Sequence, residues 1–91
     1  MKPIDYENVM HAAIAVIRQA VSDVQLQFVI NAEVADEVLR ILELISDMSN
    51  ALEKTGDPTV SIERILAKLR NYQNETGNQE YLVLFQRICF S

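Results

Sequence analysis

Residues that break helices or form tight turns are scarce in this sequence of 91 residues. Two glycines and two prolines occur, at Pro3, Gly56, Pro58 and Gly77. An all-β domain of this size needs many tight turns, and those turns draw heavily on Gly and Pro. Helices joined by a few short turns need far fewer of them. The chain is therefore expected to fold mainly as helices.

Length and composition predict a single helical domain, residues 1–91. The chain is too short for a second domain, and 49% of its residues are apolar, which is enough to form a core. The formal net charge of −5 disfavours direct binding to nucleic acid or to an anionic membrane, since both require a basic surface. No stretch has the length and apolarity of a membrane span, and the N-terminus does not resemble a signal peptide. We therefore expect a cytoplasmic protein.

Apolar residues at helical spacing predict a first helix over about residues 5–24. They are Tyr6, Met10, Ala13, Ile17, Ala20 and Val24, with Ile14 and Val21 beside the same stripe. Residues 24–30 begin with an alternation of apolar and polar residues, which is typical of a strand, yet they contain no turn-forming residue. An extended connector, a short strand or a continuation of the first helix would each fit. We expect a connection between two helices.

Two further helices are predicted in the middle of the chain. The second runs from Asn31, which can serve as its N-cap, to about residue 55, where Gly56 provides a stop. The third begins with Pro58 at its first helical position and ends before a turn at residues 74–78, which contains Gly77. Both carry apolar residues on one face at spacings of three and four, which suits packing in a bundle.

The last segment, residues 79–91, is apolar over most of its length and fits either a helix or a strand. Because three helical patterns accompany this segment and residues 24–30, the expected fold is all-α, a small antiparallel bundle of about four helices. The alternative is an α+β domain in which residues 24–30 and 81–90 pair as strands.

The sequence shows no pattern typical of catalysis, and neither a metal nor a cofactor is expected. It has no glycine-rich phosphate loop, no Cys/His cluster and no acidic calcium loop. The single histidine, His11, falls on the polar side of the first helix, where a surface residue is the common outcome. Cys89 stands among apolar residues and is expected to be a small buried hydrophobe.

The second helix carries the first candidate binding surface. Opposite its apolar stripe lie acidic residues relieved by one arginine: Glu33, Asp36, Glu37, Arg40, Glu43 and Asp47. Like charges one turn apart cost a few tenths of a kcal/mol, so a fold gains little from this arrangement. Helical geometry predicts that Leu44 projects into this acidic face, where it could anchor a partner. A solvated face that keeps the protein soluble is the alternative interpretation.

The C-terminal segment provides the second candidate surface. Its apolar stripe, which consists of Tyr81, Leu84, Phe85 and Ile88, is predicted to form the seam of a homodimer. The alternative is a central element of the core of a single chain.

The function predicted from these surfaces is a non-enzymatic protein-binding module, such as a small adaptor, regulator, inhibitor or chaperone. Its partner would be another protein, with a basic surface if the acidic helix is the docking site. Two alternatives stay open. The chain could be an acidic nucleic-acid mimic that inhibits a nucleic-acid-handling protein, or a structural homo-oligomer subunit.

Overall fold

The computed structural model describes residues 6–30, 35–53 and 57–90. Within these ranges the chain forms α1 (Tyr6–Ile30), α2 (Ala35–Glu53), α3 (Pro58–Thr76) and α4 (Glu80–Cys89), and no strand. The predicted all-α bundle of four helices is confirmed. The α+β alternative is wrong, because both segments that would have paired as strands are helical where they are described.

The first helix extends to Ile30, well beyond the end that the sequence predicted. The expected connection between helices at residues 24–30 is therefore wrong, and the third alternative, a continuation of α1, is right. Gln and Leu are good helix formers and no Gly or Pro interrupts them, so nothing local stops the helix here. The predicted cap at Asn31 and the predicted stop at Gly56 lie outside the described residues.

Local chemistry defines both ends of α3. Its start at Pro58 is as predicted, but the helix continues to Thr76, so the expected turn over residues 74–78 begins too early. Asp57 is the N-cap, and its carboxylate accepts a hydrogen bond of 2.9 Å from the N–H of Thr59. Pro58 follows at the first helical position, where a missing N–H costs nothing. The helix ends at Gly77, which has a φ of 77° and donates its N–H to the carbonyl of Gln73 at 2.7 Å.

Contacts between the helix ends establish an antiparallel order. The hydroxyl of Tyr6, at the start of α1, donates to the carbonyl of Leu52, near the end of α2, at 2.8 Å. Arg40, near the start of α2, pairs with Glu75, near the end of α3. α1 packs against both α2 and α4, and α2 packs against α3, whereas the described backbones of α2 and α4 are not adjacent.

One hydrophobic core lies among the four helices. Its largest fully buried side chains are Tyr81, Phe85, Met48, Ile65, Leu69, Val9 and Val16. α1 also contributes the fully buried Ala12, Ala13 and Ala20. Small side chains on this face let neighbouring helices approach the α1 backbone closely.

Candidate protein-binding surface

The described residues contain no group of three or more His, Cys, Asp or Glu side chains arranged to hold a metal ion. None of their helices has the length and apolarity needed to cross a membrane. His11 is exposed, as predicted, with its Nε2 atom 3.9 Å from the carboxylate of Glu7. Cys89 is buried, also as predicted. Burial raises the pKa of its thiol, which disfavours the thiolate that a nucleophilic cysteine requires.

The acidic face of α2 is largely open to solvent. Asp36, Glu37 and Glu43 are exposed and Asp47 is half-buried, whereas Glu33 lies outside the described residues. No hydrogen bond or ion pair joins Asp36 or Glu43 to another described residue. Glu43 lines a shallow depression together with Arg40 and with Lys68 of α3.

The side of α2 that borders α3 has mixed charge. Arg40 donates a hydrogen bond of 2.9 Å to the carboxylate of Glu75, and both side chains are well exposed. Asp47 lines a shallow depression of about 320 Å³ together with Arg64 and Lys68 of α3. Acidic residues here lie beside cations of the same chain, so this side of α2 is less acidic than its sequence suggests.

Leu44 does not project into the acidic face. It is 3% exposed and belongs to the core, so the predicted anchor is wrong. α2 packs against α1 on one side and α3 on the other, and its buried face is therefore wider than a single stripe. Leu39 is the leucine that the acids flank: it is exposed, with Asp36 three residues before it and Glu43 four residues after it. On a helix these spacings place both carboxylates next to Leu39.

α1 exposes a row of large apolar side chains. Met10, Ile14 and Val21 were expected in the buried stripe, but each is exposed, and that expectation is wrong. Their spacings of four and seven residues place them on one side of the helix. Tyr6, four residues before Met10, lies on the same side and bonds to α2, so the row borders α2.

α2 also exposes two large apolar side chains, Leu39 and Leu42. Leu42 lies ten residues before Leu52, so the two positions are about 80° apart around α2. We call the whole set the α1–α2 apolar surface. Its members are between 38% and 56% exposed: Met10, Ile14, Val21, Leu39 and Leu42. From residue 10 to residue 21 the row is about 16 Å long, or roughly three helical turns.

The C-terminal helix faces inward. Tyr81 is 1% exposed and Phe85 is fully buried, while Leu84 and Ile88 are half-buried against the core. The predicted seam is therefore wrong for Tyr81 and Phe85, because packing on α1 turns these side chains into the core of the single chain. The alternative, a core element, describes α4 better. The apolar residues that this segment leaves exposed are Val83 and Phe90.

A polar cavity of about 260 Å³ lies where α1, α2, α3 and α4 meet at one end of the bundle. The hydroxyl of Tyr81 donates to the carboxylate of Asp23 at 2.5 Å, and Glu37, Tyr72 and Glu80 complete much of the lining. Burial, followed by the hydrogen bond and the negative charge of Asp23, raises the pKa of Tyr81. Sequence reasoning missed this pair, since the two residues are 58 positions apart.

No protein-family model matches the chain, no curated protein is significantly similar to it, and no solved structure matches its fold. Function is therefore inferred from the burial, charge and spacing of the chain's own residues.

Proposed function

We propose that the chain is a non-enzymatic protein-binding module, acting in the cytoplasm, that docks a partner protein on the α1–α2 apolar surface. The observation that supports this best is the exposure of five large apolar side chains on two neighbouring helices. Single exposed apolar side chains are common, but a contiguous group on a small monomer marks an interaction site more often. Covering such a group removes apolar area from water, which favours association.

The sequence suggested that the acidic face of α2 is itself the docking site, whereas here its acids border the apolar side chains. Asp36 and Glu43 flank Leu39, so they form the rim of the surface rather than its centre. Charges at an interface rim act mainly on the association rate and on the choice of partner. The apolar side chains supply most of the affinity.

The other two functions receive less support from the geometry. A nucleic-acid mimic needs a continuous negative surface, whereas Arg40, Arg64 and Lys68 intersperse cations among the acids along α2 and α3. A homo-oligomer built on α4 would have to rely on Val83 and Phe90, since Tyr81 and Phe85 are already buried.

A pull-down with single-residue variants tests the proposal. The tagged chain captures partners from a lysate of its source, in parallel with Ile14→Asp and Leu39→Asp. Val83→Asp is the matched control, because Val83 has a similar exposure but lies on α4. Circular dichroism must show equal helicity for all four proteins before their captures are compared.

We expect a specific partner that the wild-type chain and Val83→Asp retain and that both α1–α2 variants lose. Loss in Val83→Asp alone would move the docking site to α4. Equal capture by all four proteins would contradict a role for the α1–α2 apolar surface.

A further inference from the structure

We draw no further inference here: the strongest candidate, the polar cavity lined in part by Asp23, Glu37 and Glu80 at one end of the bundle, is a cluster of acidic side chains around the hydrogen bond between Tyr81 and Asp23, and no other feature of the described residues points to a ligand for it.

Discussion

Ser61 on α3 is fully buried, and its Oγ atom has no hydrogen-bond partner among the described residues. A buried hydroxyl without a partner costs about 1–3 kcal/mol, because it gives up its hydrogen bonds to water. Ser61→Ala removes that hydroxyl and also improves helix propensity. We expect the free energy of unfolding, measured by urea denaturation, to rise by about 1 kcal/mol.

Ser46→Ala is the control for this prediction. Ser46 is exposed in the middle of α2, so its replacement changes helix propensity without affecting a buried group. Its gain should be about half a kcal/mol or less. A gain for Ser61→Ala that does not exceed that for Ser46→Ala would show that the buried hydroxyl carries no penalty.

Tyr81 should make the fold less stable at alkaline pH. Burial and Asp23 raise the pKa of its phenol above the ordinary value of 10.0. In the unfolded chain the phenol ionises near pH 10, whereas in the fold it stays neutral. The contribution of Tyr81 to stability is therefore complete below pH 10 and is lost as the pH rises above it. We expect the free energy of unfolding to fall between about pH 10 and 11.

Two phenylalanine variants separate this effect from the loss of a hydroxyl. Tyr81→Phe should lower stability at neutral pH by about 1–2 kcal/mol and flatten the alkaline decline. Some decline remains, since burial also raises the pKa values of Tyr72 and Cys89. Tyr6→Phe loses its hydrogen bond to Leu52 but should keep the full decline. The same decline in Tyr81→Phe as in the wild type would contradict the assignment to Tyr81.

At the scale of the helices, the sequence predicts best where short-range chemistry sets the structure. Asp57, Pro58 and Gly77 mark the ends of α3 by themselves, because a cap, a fixed φ and a left-handed residue each act within one turn. No comparable signal stands between residues 24 and 30. The alternation of apolar and polar residues there suggested that the helix ends, but no residue in this stretch interrupts a helix, and α1 continues to Ile30.

The buried faces of α1 and α2 were harder to predict, because neighbouring helices decide them. α1 is apolar on most sides, and its core face uses small residues such as Ala12 and Ala20, while the larger Met10 and Ile14 are exposed. Neighbouring helices also explain why Leu44 is buried and Leu39 is exposed, contrary to the prediction for Leu44. Their Cβ atoms lie on different sides of α2, and only the position of α3 determines which side is covered.

Gly77 should be the least replaceable residue of the turn between α3 and α4. Its φ of 77° is in the left-handed region, and a Cβ atom there would meet no other atom within 4 Å. The cost of Gly77→Ala is therefore a backbone cost alone, about 1 kcal/mol in urea denaturation. Gly77→Asn should cost less, since Asn tolerates this conformation better. If Gly77→Ala and Gly77→Asn lowered the free energy of unfolding equally, the cost would not come from the left-handed backbone conformation, and this account would be contradicted.

At the scale of the whole molecule, the sequence predicted the number of helices and their antiparallel order but not the place of α4. The same apolar pattern is expected whether this stripe packs into the core of one chain or forms the seam of a dimer. The stripe consists of Tyr81, Leu84, Phe85 and Ile88. Both environments are apolar, and the pattern does not distinguish them. The choice depends on how much surface α1 leaves for α4, which is a property of the assembled bundle.

Unfolding experiments on two phenylalanines distinguish these two roles of α4. Phe85 is fully buried, so Phe85→Ala should lower the free energy of unfolding by about 3–5 kcal/mol through lost burial and a residual cavity. Phe90 lies at the end of the same helix and is 49% exposed. Phe90→Ala should therefore change stability by less than about 1 kcal/mol.

The dependence on protein concentration completes the comparison. If Phe85 stabilises the core of a single chain, the urea midpoints of the wild type and of Phe85→Ala stay the same when the protein is diluted. If Phe85 instead lay in a dimer seam, the wild-type midpoint would fall on dilution, because unfolding would be coupled to dissociation. A midpoint that falls on dilution in the wild type and no longer does so in Phe85→Ala would therefore contradict the placement of α4 in the core of one chain.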